Sequence, residues 1–345
     1  MKLMICGFGR VGRAFAELLL QKHLLLQDKY GLDVSVGAVV DLLGASVELD
    51  ESQRLPLEEL LRFVSDGGQV HQFPLFGREG LTAVKAIQEG AFDVLIEATP
   101  TNIMDGEPGL THIRTALGKG MHVITAAKGP LALRFSELKA LADQKRVSLK
   151  FSAATAAALP TVDVGELCLA GAEILSIEGI LNGTTNYILT RMHREGIDYE
   201  NALAAAQALG IAEPDPSLDV EGWDTASKLV IIANHLLGAS LTLNDVEVSG
   251  ITGVSRQMIE EAKAQGKFIK LIGRAARKEG RVVARVAPQA LGPEHPMANI
   301  HGAQKGLTFL TDSMDRVTVT GGKSDPKGAA AAMLKDLINI HRAGG

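Results

Sequence analysis

Residues 1–12 read Met-Lys-Leu-Met-Ile-Cys-Gly-Phe-Gly-Arg-Val-Gly, and this stretch decides the fold of the first part of the chain. The apolar run Leu3–Ile5 predicts a β-strand, and the apolar spacing over Val11–Leu20 predicts a helix. Between them the pattern G-x-G-x-x-G is formed by Gly7, Phe8, Gly9, Arg10, Val11 and Gly12. In such a turn the first glycine permits the tight bend, and the second lets the backbone come close to a pyrophosphate. The third lets the helix pack closely on the strand. The strand and helix around it therefore predict a dinucleotide-binding turn, with the helix N-terminus supplying free N–H groups.

The first third of the chain continues this alternation of short apolar runs and helical spacing. The predicted strands are Leu3–Ile5, Val34–Val40, Asp93–Ala98 and His122–Ala126. The predicted helices are Val11–Leu20, Pro56–Val64, Leu81–Glu89 and Phe135–Asp143. Alternating strands and helices indicate βαβ units. The predicted fold class is therefore α/β, with a Rossmann-type doubly wound parallel sheet.

Polar residues follow the ends of these predicted strands. Asp41 ends the second strand, where a carboxylate can accept a hydrogen bond from the ribose 2′-OH of a dinucleotide. It lies 29 residues beyond Gly12, so the intervening segment must contain a long helix end or a loop. Thr99 and Pro100 follow the third strand, and Lys128 follows the fourth. Because ligands bind beyond the carboxyl ends of parallel strands, we expect these residues to line one crevice.

The same residues favour NAD over NADP as the cofactor. Asp41 would repel a 2′-phosphate, although Arg10 would attract one. Two alternatives stay open for single residues: Asp41 as a surface carboxylate and Lys128 as a solvated lysine.

A different pattern begins near Phe151. An Ala-rich segment, Ser152–Ala158, precedes an apolar run at Ile174–Leu181 and helical spacing through Leu237. Strand patterns follow at Val246–Ile251, Phe268–Ala275, Val282–Val286 and Arg316–Thr320, and a last helix at Lys327–His341. Helices followed by strands indicate an α+β second domain, a sheet with helices on one face.

Composition excludes several classes of protein. A net charge of −5 and 4% aromatic residues over 345 residues do not suit non-specific nucleic-acid binding. Cys6 and Cys168 are too few for a disulfide framework, so we expect a reducing compartment, the cytoplasm. The N-terminus lacks the apolar core of a signal peptide, and the longest apolar stretch, Leu229–Leu243, is interrupted by Asn234 and His235. We therefore expect no membrane segment.

An acidic cluster precedes the helix predicted over Trp223–Leu237. Its five carboxylates are Glu213, Asp215, Asp219, Glu221 and Asp224. Such a cluster suits a metal, the ammonium group of an amino acid, or simply solvent. Asp224 and Lys228 stand at i and i+4 in the favourable order for a charge pair. The apolar stripe of this helix points the other way, so the pair is predicted to face solvent or a cleft, where a lysine can transfer protons.

These segments resemble the homoserine dehydrogenase family along the whole chain. The resemblance is carried by GFGRVG at Gly7–Gly12, TAAKGP at Thr125–Pro130, ILNGTTNYIL at Ile180–Leu189, ALGIAEPDPSLDVEGWDTASKLVI at Ala208–Ile231, and HPMANIHG at His295–Gly302. The family interconverts L-homoserine and L-aspartate 4-semialdehyde with a nicotinamide cofactor. The resemblance implies that Lys128 and Lys228 are catalytic and that Asp224 orients Lys228. It also implies that Glu213, Asp219 and the Gly183-Thr184 turn bind the substrate.

The resemblance also bears on domains, ions and assembly. It implies that the last helix returns to the nucleotide domain, giving domains of residues 1–130 with 318–345 and of residues 131–317. It implies a homodimer through the second domain's sheet and a monovalent cation held by backbone carbonyls near Thr155, Ala157 and Leu159. SAATAAALP replaces the family's Gly-rich segment there, and Ala127 replaces its asparagine. With the chain ending at Gly345, we expect a short form without a C-terminal regulatory domain.

Two other functions remain compatible with these residues. The first is an NAD(P) dehydrogenase for another small amino acid, since pocket shape is not visible in sequence. The second is a non-catalytic protein that senses dinucleotides, which would have no need for the two lysines and the carboxylates.

Overall fold

A computed structural model describing residues 1–50, 52–322 and 325–344 places the strand before the glycine-rich turn inside a seven-stranded sheet. Its strands are β1 (Lys2–Cys6), β2 (Ser35–Asp41), β3 (Gly44–Val47), β4 (Gly77–Glu79), β5 (Val94–Glu97), β6 (His122–Thr125) and β7 (Leu149–Lys150). The strand order is β4-β3-β2-β1-β5-β6-β7. From β2 to β7 all neighbours are parallel, which confirms the predicted sheet. β3 and β4 extend it antiparallel and were not predicted, because each is at most four residues long.

A second, six-stranded sheet is built mainly from antiparallel pairs. Its strands are β8 (Ile174–Ile180), β9 (Val246–Val248), β10 (Phe268–Lys278), β11 (Arg281–Leu291), β12 (Lys305–Thr311) and β13 (Arg316–Gly321). The order is β13-β12-β8-β10-β11-β9, and only the β11 and β9 pair is parallel. The sequence pattern missed β12, because the strand begins with Lys305 and Gly306 and Thr308 divides its few apolar residues. Lys305 is nevertheless buried.

Helices connect and cover both sheets. They are α1 (Arg10–Tyr30), α2 (Leu57–Ser65), α3 (Ala83–Glu89), α4 (Gly109–Lys119), α5 (Lys128–Lys145), α6 (Ser152–Ala156), α7 (Thr161–Asp163), α8 (Gly183–Glu195), α9 (Tyr199–Ala208), α10 (Ser217–Val220), α11 (Trp223–Leu236), α12 (Arg256–Ala264) and α13 (Pro326–Ala343). α1 runs for 21 residues and ends where Gly31 takes a left-handed φ of +62°. This length accounts for the long spacing between Gly12 and Asp41. Within the described residues, no helix is both long and apolar enough to span a bilayer.

The chain divides into two units, Met1–Ala157 with Asp325–Gly345 and Ala158–Ser324. The first unit extends past the predicted boundary at residue 130, because β7 pairs with β6 and α6 packs on α13. Residues 318–321 lie in the second unit rather than the first, because β13 pairs with β12.

Each unit has its own apolar core. In the first, Phe15 and Leu19 of α1 pack with Met333 and Leu337 of α13 against the parallel sheet. The buried carboxylate of Asp336 on α13 also accepts hydrogen bonds from Ser152 N and Oγ, at 3.0 and 2.7 Å. The last helix therefore belongs structurally to the first unit.

In the second unit the six-stranded sheet carries helices on one face. Ile188 of α8 and Leu229 of α11 pack with Ile177, Leu271 and Phe309 of the strands. On other positions of the same strands, Ile180 and Ile272 pack with Met297, Ala298 and Ile300 of the segment between β11 and β12.

Candidate functional site

In the glycine-rich turn of the first unit, protein atoms pack closely around two of the three glycines, Gly7 and Gly12. Gly7 has a φ of +86°, and a Cβ there would lie 2.7 Å from the backbone of Ala98 and Thr99. A Cβ on Gly12 would lie 2.0 Å from the Gly7 carbonyl oxygen. Both positions therefore require glycine because protein atoms surround them.

Gly9 is different, and its environment fits a pyrophosphate. It is exposed, its φ is −75°, and a Cβ there would meet no protein atom within 4 Å. Neither backbone conformation nor protein packing explains the glycine, whereas the close approach of a ligand does. Gly9 is also the N-cap of α1 and provides no side-chain cap, so the helix N-terminus is available for an anion.

The other residues of the turn have separate roles. The Phe8 side chain is 2% exposed and packs in the core, so this residue offers only backbone to a ligand. Arg10 is exposed and Val11 is partly buried. Asp41 is exposed at the end of β2, and its Oδ1 accepts the Leu42 amide at 3.0 Å, which orients the carboxylate.

A buried carboxylate supports the next part of the cofactor region. Glu97, the last residue of β5, accepts hydrogen bonds from both the amide, at 2.9 Å, and the hydroxyl of Thr99. Its other oxygen is 2.9 Å from His112 Nδ1. The thiol of Cys6 lies beside them, and burial, with the charge of Glu97, raises the pKa of this thiol. Pro100 is exposed next to this anchored Thr99.

Lys128 begins α5 at the carboxyl end of β6. Its amide lies 3.4 Å from Thr101 Oγ1, and the neighbouring Gly129 is so close to Asn102 that a Cβ would lie 1.8 Å from the Asn102 carbonyl oxygen. The structure thus brings the glycine-rich turn, the segment at Thr99–Asn102 and Lys128 to one edge of the parallel sheet, as predicted.

In the second unit, Asn182 joins the acidic cluster to the catalytic lysine candidate. Its Nδ2 donates to Asp219 Oδ1 at 2.7 Å and to Asp224 Oδ2 at 2.8 Å. Its Oδ1 accepts the Thr185 amide at 2.9 Å, which caps α8. Asn182 was not singled out from sequence, and the only signal was an amide residue at a predicted helix start.

The Asp224 and Lys228 pair forms as predicted, but it is not on a solvent-facing surface. Lys228 Nζ donates to Asp224 Oδ2 at 2.5 Å and to the Leu181 carbonyl at 2.9 Å. The side chains are only 9% exposed for Asp224 and 14% for Lys228. Of the two predicted settings, solvent or a cleft, an open solvent face is excluded because α11 is packed on several sides, against α7, α10 and strands of the sheet. The result is a hydrogen-bonded chain from Asp219 through Asn182 and Asp224 to Lys228, here called the Asn182 cluster. It is buried at Asn182 and Asp224 and partly buried at its two ends.

Asp219 has an unusual protonation equilibrium. Burial, and then the like charge of Asp224, raise the pKa of Asp219. Lys228 and hydrogen bonds from Asn182 and Thr184 oppose this shift. Because a buried carboxylate gains from a cation, the Asn182 cluster suits the ammonium group of an amino acid.

The remaining predicted substrate residues lie in two places. Gly183 and Thr184 begin α8 directly after Asn182, and the Thr184 hydroxyl donates to the Ile211 carbonyl at 3.2 Å. Glu213 is exposed, and its backbone carbonyl accepts from Gln207 at 3.3 Å. Asp215 is also exposed and accepts the Ser217 amide at 3.1 Å, so it forms a local turn.

The predicted cation ligands lie in the last turn of α6 and in the residues that follow it in sequence. Ala157 takes φ +51° and ψ −117°, which turns the chain sharply after Thr155 and Ala156. The Leu159 carbonyl accepts the Thr161 amide at 2.8 Å. Binding of a monovalent cation by these carbonyls stays a prediction.

Known proteins are similar to this chain in both sequence and fold. A model of the homoserine dehydrogenase family matches residues 160–338. The chain is similar to a homoserine dehydrogenase of Methanocaldococcus jannaschii, with 39% identity over 99% of this chain and 99% of the relative. It is 38% identical to an NAD(+)-dependent homoserine dehydrogenase of Pseudomonas canavaninivorans, over 99% and 96% of the two chains.

Solved structures agree with these relatives. A homoserine dehydrogenase of Thiobacillus denitrificans has a TM-score of 0.85 at 26% identity, over 100% of this chain and 74% of that one. Its fold is therefore similar along the whole of this chain. With a family model over half the chain and full-length relatives above 30% identity, the chain belongs to the homoserine dehydrogenase family.

Proposed function

We propose that the protein catalyses the reversible oxidation of L-homoserine to L-aspartate 4-semialdehyde with NAD. The observation that carries this proposal is the chain of hydrogen bonds in the Asn182 cluster, which places a lysine and two carboxylates within one network. The glycine-rich turn and the name of the NAD(+)-dependent relative support the cofactor.

Gly9 and the N-terminus of α1 would hold the dinucleotide, whose nicotinamide would supply the hydride acceptor for oxidation of the substrate's hydroxyl-bearing carbon. Lys228 takes the hydroxyl proton during oxidation and returns it during reduction, so a C=O bond forms as the C–H and O–H bonds break. Asp224 and the Leu181 carbonyl hold Lys228 Nζ through the hydrogen bonds described above. Asp224 therefore acts by orienting the amine.

The other residues bind and stabilise. Asp219 and Glu213 attract the substrate's ammonium group, and the Gly183-Thr184 turn contributes backbone and hydroxyl groups. Lys128 stabilises the negative charge that develops on the substrate oxygen. The resemblance supports a homodimer through the six-stranded sheet, and two cysteines that are not paired support a reducing compartment, the cytoplasm.

The reaction is tested by the absorbance of reduced nicotinamide, with purified protein, L-homoserine and either NAD⁺ or NADP⁺ at alkaline pH. We expect turnover when L-homoserine and a nicotinamide cofactor are both present, and a higher rate with NAD⁺ than with NADP⁺. L-Serine and L-threonine serve as comparison substrates, because a preference for either would favour a dehydrogenase of another small amino acid. Silence with all three, from protein that binds a dinucleotide, would favour the sensing function.

The cofactor preference depends on Asp41. Replacing it with asparagine removes a negative charge near the expected 2′ position, so kcat/KM for NADP⁺ relative to NAD⁺ should rise roughly fivefold, the size of one solvent-screened charge contact. Asp33→Asn is the matched control, because Asp33 is an exposed aspartate just before the opposite end of the same strand. A ratio that does not move in Asp41→Asn would remove Asp41 from cofactor selection.

The raised pKa of Asp219 makes substrate binding sensitive to acid. The carboxylate must be ionised to attract an ammonium group, and its raised pKa means that it gains a proton at a higher pH than an ordinary aspartate. As the pH falls through this pKa, kcat/KM for L-homoserine should fall while dinucleotide affinity stays constant. In Asp219→Asn this acid limb should disappear. Persistence of the same limb in the variant would assign it to another group.

A further inference from the structure

A lysine outside the Asn182 cluster is buried without an acidic partner. Lys270 on β10 is 1% exposed, and its Nζ donates to Asn186 Oδ1 at 2.9 Å and to the Ile300 carbonyl at 2.5 Å. Within the described residues, no ion pair involves it. Burying a charged amine costs free energy, which its hydrogen bonds to amide and carbonyl oxygens offset.

The bonds of Lys270 hold the segment Ile300–Gln304 against α8; this segment is called the strap below. Asn186 Nδ2 donates to the carbonyls of Ile300 at 3.1 Å and Gln304 at 2.9 Å. The Gly302 amide donates to Thr190 Oγ1 at 3.1 Å. Lys270 therefore connects the sheet, the helix and the strap through one ammonium group.

The strap lies directly beside the substrate-binding turn. A Cβ on Gly183 would lie 2.8 Å from the Ala303 carbonyl oxygen, so the first residue of α8 rests on the strap. Gly183 follows Asn182, whose amide group bonds both Asp219 and Asp224. A shift of the strap would therefore move the turn that carries the Asn182 cluster.

Among the described residues, the charged and titratable groups that interact electrostatically with Lys270 are basic: Arg194 and His193 on α8 and His301 of the strap. Lys263 on α12 acts in turn on His193. Burial, and then Arg194, lower the pKa of Lys270 to about 8. The pKa values of His193 and His301 are also lowered, first by burial and then by these cations. At neutral pH Lys270 is mainly charged, and it becomes neutral as the pH rises past about 8.

We infer that Lys270 is a positioning residue for the substrate, which holds the strap against α8 in its charged form and releases it in alkali. This inference rests on the proposed function. A neutral amine is a weaker donor than an ammonium group, so its bonds to Asn186 and Ile300 weaken on deprotonation. Substrate affinity then decreases with rising pH, while the Lys228 chemistry stays in place.

The first test separates binding from chemistry. In Lys270→Met, KM for L-homoserine should rise about tenfold at neutral pH, the loss expected for one charge-assisted hydrogen bond, with kcat changed much less. Lys263→Met is the control, because Lys263 is an exposed cation nearby that bonds only the His193 carbonyl, at 3.3 Å. It should leave KM unchanged. Equal changes in both variants would show that general positive charge matters and would overturn the strap role.

The second test uses the pH profile, which a purely structural lysine would not move. In the wild type, KM for L-homoserine should rise as the pH passes about 8. Arg194→Gln removes the cation that disfavours ammonium at Lys270, so this rise should move to higher pH. Lys270→Met should show no such rise. An identical profile in wild type and Arg194→Gln would refute the inference.

The two proposals fail in different ways. Absence of homoserine turnover in the wild type would refute the proposed function. Wild-type turnover combined with an unchanged KM and pH profile in a folded Lys270→Met variant would refute only the role of Lys270. Thermal unfolding of each variant establishes that it is folded.

Discussion

Replacing Lys228 with alanine should lower kcat for homoserine oxidation by about three orders of magnitude, within the range for loss of a general acid–base. The reason is that Lys228 Nζ, fixed by Asp224 Oδ2 at 2.5 Å and the Leu181 carbonyl at 2.9 Å, is the group proposed to move the hydroxyl proton. Dinucleotide affinity should stay unchanged, because the glycine-rich turn lies in the other unit. Steady-state kinetics and titration with the dinucleotide measure the two quantities separately.

Two further variants make this result decisive. Lys228→Gln keeps a donor toward the buried Asp224 carboxylate, so it should fold as the wild type does and still lose turnover. Lys139→Ala removes the lysine of another i, i+4 pair, with Asp143 on the exposed surface of α5, and should change nothing. Near-normal turnover in Lys228→Gln would exclude Lys228 from proton transfer.

Two glycine variants of the turn should have opposite effects on folding and binding. Gly9→Ala places its methyl group where no protein atom lies within 4 Å, so stability should be unchanged. The same methyl group would obstruct a pyrophosphate, so the dinucleotide Kd should rise about tenfold or more. Gly12→Ala places a methyl group 2.0 Å from the Gly7 carbonyl, which forces the strand and helix apart. It should cost about 3 kcal/mol of folding free energy, as overpacking does.

The comparison of these variants tests the assignment of the site directly. Thermal unfolding reports folding, and fluorescence titration reports dinucleotide binding. If Gly9→Ala binds the dinucleotide as tightly as the wild type, the pyrophosphate does not approach Gly9. If Gly9→Ala instead unfolds, the glycine has a structural role that the open space around it does not suggest.

Local patterns predicted much of the fold and of the cofactor region. The glycine-rich turn, the parallel strands and the Asp224 and Lys228 pair depend on spacings of a few residues, and the structure confirms the sheet and the pair. The long spacing to Asp41 is explained by the length of α1, as a helix extension was one of the two expectations.

Contacts between distant segments could not be predicted in this way. Asn182 meets Asp224 across 42 residues, and Lys270 meets Asn186 across 84 residues. The periodicity of apolar residues does not predict such contacts, because they depend on how the strands are ordered in the sheet. For the same reason helix periodicity could not decide between solvent and a cleft for Lys228, since an apolar stripe identifies one buried face of a helix and does not show what covers the others.

Because α13 packs in the first unit, it affects how that unit folds during synthesis. α1 is synthesised long before Met333 and Leu337 of α13, with which it packs. Such contacts have very high sequence separation and form slowly. On a ribosome, the second unit can fold its apolar core before α13 has been synthesised and can pack on the parallel sheet. During that interval Phe15 and Leu19 lack their contacts with Met333 and Leu337, and they expose apolar surface that a chaperone can bind.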